Sequence, residues 1–236
     1  MAITVPNVAL NSIDYQQSLN DIARRKLVIF DFDGTLADTM PGITRTAHKV
    51  FTEIGMTEEE MGDIRRIVGP PFPFAFEIVY GMNRAQAEAV TKRYREIYAV
   101  EGTWPLFRGV HTLLRDLKQA GKLVAIASSK RQPLVMRGVA DNHLEDIFDA
   151  CVGRIDEAES TKVQAIATVM NKLQVDPKDA VMVGDRMYDI DAARPNDIPC
   201  VGVLYGKTTI KQELIDHQAA AIVDSVQELH RVLLGT

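Results

Sequence analysis

Four consecutive apolar residues, Leu27-Val28-Ile29-Phe30, run directly into Asp31-Phe32-Asp33-Gly34. So short an apolar run, closed by a turn signal, predicts a buried parallel strand rather than a helix. Further on the pattern alternates between helix and strand. Val110, Leu113, Leu114 and Leu117 stripe a helix that Gly121 ends, and Leu123 to Ala127 form a strand that stops at Ser128-Ser129-Lys130. Pro133 to Ala140 are helical, and Phe148 to Val152 make a weaker strand. Lys162 opens a helix striped by Val163, Ile166, Ala167 and Met170. The strand Ala180 to Val183 runs into Gly184-Asp185-Arg186, and a short helix through Ile190 and Ala193 follows. Strands at Cys200 to Val203 and Ala220 to Val223 precede a closing helix, Val226 to Leu234. Alternation of this kind implies an α/β fold: a Rossmann-like parallel sheet with helices on both faces.

Residues 43–105 break the alternation. Ile43, Ala47, Val50, Phe51 and Ile54 predict one helix closed by Gly55. Met61, Ile64, Ile67 and Val68 predict a second, ended by Gly69-Pro70-Pro71. Phe72 to Tyr80 and the stripe Val90, Tyr94, Ile97 and Tyr98 predict two more. The expected division is therefore an α/β core, 26–42 and 106–236, with an inserted α-helical cap, 43–105, hinged near Pro41-Gly42 and Trp104-Pro105. Residues 1–25 read as an N-terminal extension in which Asp14 to Ile22 can form a short polar helix.

Composition narrows the partners. The 236 residues are 46% hydrophobic and 25% charged, with a net charge of −5. That balance argues against nucleic acid and anionic membrane surfaces as partners. It also means that a phosphate site must be built locally. Cys151 and Cys200 lie in apolar strand sequences and read as structural thiols. No segment reads as a membrane span or a secretory signal, so a cytoplasmic setting is expected.

In open α/β sheets, ligand chemistry gathers beyond the strands' carboxyl ends. There the first strand offers Asp31 and Asp33, the second Ser128, and a third Asp185 with Asp189 one turn on. Several carboxylates crowded into a cleft repel one another, and a divalent cation with oxygen ligands resolves the repulsion. Mg²⁺ suits a site that must also bind phosphate oxygens. Lys162 and the Ser128 hydroxyl would complete a phosphoryl cradle, with Ser129 and Lys130 as neighbours also able to contact it and Arg154 as a rival cation.

Asp31-Phe32-Asp33-Gly34-Thr35-Leu36-Ala37-Asp38 resembles the first motif of the haloacid dehalogenase-like hydrolases. Ser128, Lys162 and Gly184-Asp185-Arg186-Met187-Tyr188-Asp189 resemble the second, third and fourth, in order. The resemblance covers the chain from about Lys26 onward and is nearest to the phosphoglycolate-phosphatase-like branch with a small helical cap. It implies Asp31 as nucleophile and metal ligand, and Asp33 as acid/base with its backbone carbonyl on the metal. Asp185 would be a further ligand, and Asp189 would act through water or orient Lys162. Thr35 would orient Asp33, Ser128 and Lys162 would hold the phosphoryl group, and Arg65 and Arg66 of the cap could read the substrate. An acid at Asp33 points to phosphate esters rather than carbon–halogen bonds.

The expected reaction is Mg²⁺-dependent hydrolysis of a small phosphate monoester through an aspartyl-phosphate, by a monomer or homodimer acting on a phosphorylated metabolite or nucleotide. Alternatives are a 5′-nucleotidase, a sugar phosphomutase, or a non-catalytic receiver-like module. The last has a different order of motifs and no cap.

Overall fold

The computed structural model describes residues 3–4, 12–155 and 161–236. They divide into two compact units, Met1–Ala37 with Leu106–Thr236, and Asp38–Pro105.

The first unit is built on six parallel strands: β1 (Leu27–Phe30), β2 (Leu123–Arg131), β3 (Ala150–Arg154), β4 (Ala180–Gly184), β5 (Cys200–Val203) and β6 (Ala221–Val223). Their spatial order is β3-β2-β1-β4-β5-β6. β1 lies in the middle, with Phe30 opposite Ile126 on one side and Val183 on the other. A four-residue strand buried on both faces must be apolar throughout, and all four residues of β1 are fully buried. Chain order reverses on either side of β1, which makes its carboxyl end a switch point where a ligand crevice forms.

Among the described residues, seven α-helices belong to this unit: α1 (Ser12–Ala23), α6 (Val110–Gln119), α7 (Gln132–Asp141), α8 (Lys162–Leu173), α9 (Met187–Ala193), α10 (Lys211–Asp216) and α11 (Val226–Leu234). Leu27, Ile29, Ala125, Ala127, Ala180 and Met182 share one core with Ile166, Val169 and Met170 of α8, Ile190 of α9 and Leu214 of α10. The alternate strand residues face the other way, as the pleat requires. There α6 and α11 pack together.

The second unit holds α2 (Met40–Glu53), α3 (Glu58–Met61), α4 (Phe74–Tyr80) and α5 (Arg84–Glu101). Its ends are tied by Asp38 N–H donating to the Pro105 carbonyl at 2.7 Å. Aromatic rings fill its interior: Phe51 meets Phe76 and Tyr80 edge-on at 5.8 and 4.8 Å, and Tyr98 meets Trp104 at 5.3 Å. Arg93 of α5 bridges to Glu53 of α2.

Several expectations shift. Within the N-terminal extension, Thr4 exchanges two backbone hydrogen bonds with Ile222 at the sheet edge and α1 packs on α11 with Ile22 buried. The helical unit starts at Asp38, and Pro41-Gly42 lies inside the first turn of α2 rather than at a hinge. Proline is suited to that turn because its missing N–H has no helical acceptor there. Met61 to Val68 is not one helix. Gly62, at φ +51°, stops α3, and Asp63 accepts from Arg65 N–H to start a separate 3-10 turn at Ile64–Ile67. β2 runs on through Ser128 to Arg131, because Arg131 pairs with Arg154 of β3 after a shift of register. β3 begins two residues later than Phe148. The thiols are free, with Cys200 buried and Cys151 only half-buried.

Candidate active site

Every core residue singled out above is placed by the carboxyl end of a strand or the start of a helix. β1 continues for one residue past its assigned end, since Asp31 N–H donates to the Val183 carbonyl at 2.9 Å. The chain then folds tightly on itself. Leu36 and Ala37 N–H both donate to the Phe32 carbonyl, and Gly34 N–H donates to the Ala37 carbonyl. Gly34 sits at φ +76°, and a Cβ there would fall 2.3 Å from Asp185 Oδ2. Only glycine meets both demands. The Tyr205 hydroxyl clamps this loop from outside by donating to the Thr35 carbonyl at 2.7 Å.

Asp31, Asp185 and Asp189 are all buried, and one carboxylate oxygen from each lies within 4.8 Å of the others. Asp31 Oδ1 accepts from the Phe32 N–H at 2.7 Å, and Lys162 Nζ lies 2.7 Å from Asp31 Oδ2. The same ammonium is 2.5 Å from Asp189 Oδ1, while Asp189 Oδ2 accepts from Arg186 N–H at 3.1 Å. Asp189 reaches this position because residue 184 has no side chain: a Cβ on Gly184 would stand 2.1 Å from Asp189 Cγ. Lys162 is aimed inward because Thr161 and Gln164 form a capping box that fixes the first turn of α8.

Burial pushes the Asp185 carboxyl up to about 8, and the Asp189 and Asp31 carboxylates push it the same way. Asp189 is raised to about 6, again by burial first, although Lys162 pulls against the rise. Burial works against the charge on Lys162, but Asp189 and Asp31 outweigh it, and its pKa is raised. The crevice holds four carboxylates, Asp31, Asp33, Asp185 and Asp189, and two ammonium groups, Lys130 and Lys162. With every group ionised, this leaves two negative charges unbalanced.

The match to a family model extends this geometry to known proteins. Residues 28–203 match the model of the haloacid dehalogenase-like hydrolases. The chain belongs to that family. Within it, this is an enzyme of the phosphatase kind, a phosphoric monoester hydrolase. A 5′-nucleotidase of Pseudomonas aeruginosa is 29% identical over 87% of this chain and 94% of its own. The tyrosine-protein kinase PtkA of Mycobacterium tuberculosis is 33% identical over 88% of this chain and 72% of its own. A Clostridium acetobutylicum structure titled as a predicted phosphatase superposes with a TM-score of 0.84 at 32% identity, covering 90% of this chain and 99% of that one.

The haloacid dehalogenase-like site differs in detail from the sequence reading. Asp33 is not in the carboxylate cluster. Both its oxygens face Lys130 Nζ, at 2.9 and 3.1 Å. Thr35 does not orient Asp33, and its buried hydroxyl instead donates to Asp185 Oδ1 at 3.1 Å. Asp189 touches Lys162 directly, the second of the two roles the resemblance implies for it. Ser128 is buried and its Oγ accepts from Lys130 N–H at 3.2 Å, while Ser129 is half-buried beside it. Arg154 is buried in β3, and Lys162 is the cation against Asp31. In the helical unit, Arg65 makes a two-pronged ion pair with Asp63 at 2.8 Å, and Arg66 is exposed on the same 3-10 turn.

Two contributors escaped the sequence. α10 supplies Glu213, which accepts from Arg186 Nε at 2.9 Å and from Met187 N–H at 3.0 Å and so anchors the loop after Asp185. Tyr205 is the other.

The donor set fits a hard divalent cation. Asp185 Oδ2 is buried with no hydrogen bond of normal geometry among the described residues, and the nearby Thr208 hydroxyl offsets its burial only in part. An orphaned anionic oxygen is costly unless a cation serves it. Carboxylate oxygens alone, clustered around such an orphan, match the preference of Mg²⁺.

Proposed function

We propose that the chain hydrolyses a small phosphate monoester with the help of Mg²⁺, through a phosphoryl group carried on Asp31. The observation that carries this reading is the orphaned, buried Asp185 Oδ2 beside Asp31 and Asp189. Asp31, Asp185 and the Asp33 carbonyl would hold the cation, with Asp189 behind them. Bound there, the ion would neutralise carboxylate and phosphoryl charge. Phosphoryl transfer depends mainly on positioning and on charge neutralisation.

The residues divide the work. Asp31 Oδ attacks phosphorus as the ester P–O bond breaks, which forms an acyl phosphate and releases the alcohol. Protonated at one carboxyl oxygen, with the other still held by Lys130, Asp33 gives that proton to the departing oxygen. As a carboxylate it then takes a proton from water attacking the phosphorus, and free phosphate and Asp31 are restored. The Lys162 ammonium stabilises negative charge next to Asp31. The Ser128 hydroxyl, with Ser129 next to it, would donate to a phosphoryl oxygen. Thr35 holds Asp185 in place. Arg65 and Arg66 remain proposed specificity residues, which alanine variants would reveal as a changed order of preference among substrates.

Small phospho-acids of the phosphoglycolate type are the first substrate class to test, as the motif resemblance implies. Nucleoside monophosphates are a second, favoured by the similarity to the Pseudomonas 5′-nucleotidase. Free phosphate released from a panel of both classes and of sugar phosphates decides between them. Asp31→Asn should abolish release from every member of the panel, and EDTA should do the same to the parent enzyme. Turnover that survives either treatment contradicts the reading.

A further inference from the structure

We infer that Lys130 is a positioning residue for Asp33: it fixes the carboxyl group that protonates the leaving alcohol, and it is not itself an anchor for the substrate. This rests on the proposed role of Asp33 as proton donor.

Lys130 is an unusual lysine. Its side chain is only 5% exposed, whereas that of Asp33 is 20% exposed. What sets Lys130 apart from Lys162, whose side chain is 8% exposed, is its partner Asp33, met at both carboxylate oxygens. Here the Asp33 carboxylate is the more open member of the pair. Contact to both oxygens, at 2.9 and 3.1 Å, restricts rotation of the carboxyl group more than a single bond would.

Lys130 is itself held at several points. Its N–H donates to Ser128 Oγ, and its ammonium sits 5.8 Å from the centre of the Phe32 ring. The following residue but one, Gln132, stitches the end of β2 to β3 by donating to the Cys151 carbonyl and accepting from Gly153 N–H. Ser128 and Lys130 are two residues apart where β2 shifts register against β3, and the Lys130 N–H to Ser128 Oγ bond ties them together locally. One strand end can thus serve the phosphoryl group through Ser128 and the proton donor through Lys130. Lys162 pairs with Asp31 and Asp189, and Lys130 pairs with Asp33.

The leaving group provides the discriminating experiment. Departure of an alkyl alcohol needs a proton, whereas departure of p-nitrophenolate barely does. General acid catalysis is worth about 100- to 10,000-fold. Lys130→Met should therefore lower kcat on an alkyl phosphate by about 10- to 100-fold, through misplacement of the acid. KM should stay nearly constant, and the pre-steady-state release of p-nitrophenolate from p-nitrophenyl phosphate, which reports the first step alone, should slow by less than about 5-fold on the same grounds. In an Asp33→Asn background, Lys130→Met should add less than about 2-fold, since residues acting through one another are not additive. Lys130→Arg keeps the charge on a different fork, and it should fall between parent and Met variant in leaving-group sensitivity. It also serves as the measurable variant if Lys130→Met does not fold.

A rise in KM shared by all substrates with kcat unchanged would overturn the inference, because it would make Lys130 a substrate contact. Multiplicative losses in the double variant would overturn it equally. Asp31→Asn, assayed in parallel, separates this outcome from failure of the aspartyl-phosphate reading, since turnover by that variant bears on Asp31 alone.

Discussion

Asp185→Asn should make the cation-free protein more stable while destroying its activity. Asp185 is wholly buried, and its carboxyl is pushed from the ordinary 3.8 up to about 8 by burial and by its two neighbours. A carboxyl with a raised folded-state pKa keeps its proton when the unfolded chain has lost it. The folded state therefore binds more protons between about pH 4 and pH 8, and stability falls as pH rises through that window. Each unit is worth about 1.36 kcal/mol for one retained proton. The full interval sets a ceiling of about 6 kcal/mol on the same scale, and because the Asp185 and Asp189 carboxyls titrate together, relief of about 1–3 kcal/mol is the expected share. Asparagine removes the charge, keeps an oxygen for the Thr35 hydroxyl, and turns the orphaned Oδ2 into an amide donor facing Asp31 and Asp189. Urea unfolding in EDTA at pH 5 and pH 8 is the assay. The parent should lose stability between these pH values, and the variant should lose less and be the more stable at pH 8. Adding Mg²⁺ should restore the parent, by about 2.7 kcal/mol at one hundred times its dissociation constant, and leave the variant nearly unmoved. A variant less stable than the parent at pH 8 in EDTA would refute the idea that crowded carboxylates strain this site.

Thr35→Val should raise the Mg²⁺ concentration for half-maximal activity by about 10- to 100-fold, the usual cost of losing a group that orients a metal ligand; a magnesium activation curve reads it. Gly184→Ala drives a methyl group into Asp189 Cγ. Displacement of about 1 Å should lower kcat about 100-fold, and steady-state rates on any accepted substrate would show it. Glu213→Ala leaves Arg186 Nε and Met187 N–H without their acceptor. It should cost about 1–3 kcal/mol in chemical denaturation. Phe51→Ala empties the aromatic interior of the helical unit and should cost about 3–5 kcal/mol by the same method.

Legibility followed how local each determinant was. β5 and α11 have the predicted boundaries, since an apolar run or a sharp apolar stripe with a capping serine fixes each without help from elsewhere. Asp31 and Asp185 were legible for a related reason: acids placed immediately after a buried strand have few structural roles. What escaped depends on partners distant in sequence. The Lys130–Asp33 pair spans 97 residues, and Ser128 to Arg131 look like a loop until β3 supplies Arg154 as a partner. α10 has six residues and one buried apolar side chain, Leu214, so no periodic stripe announces it. The motif resemblance implies Thr35 as a partner of Asp33, but the fold turns its hydroxyl toward Asp185, 150 residues away. The apparent helix Met61 to Val68 shows the opposite failure. Its apolar spacing is helical, yet a single glycine backbone outweighs four apolar side chains.

The account stands on a phosphoryl group passing through Asp31. Acid quenching during turnover, followed by borohydride reduction and peptide mass mapping, tests this directly, because borohydride converts an aspartyl phosphate to homoserine. Homoserine at residue 31, and none at Asp33, Asp185 or Asp189, is the predicted result. An unmodified residue 31 during demonstrated turnover, or homoserine at another of these aspartates, would contradict it.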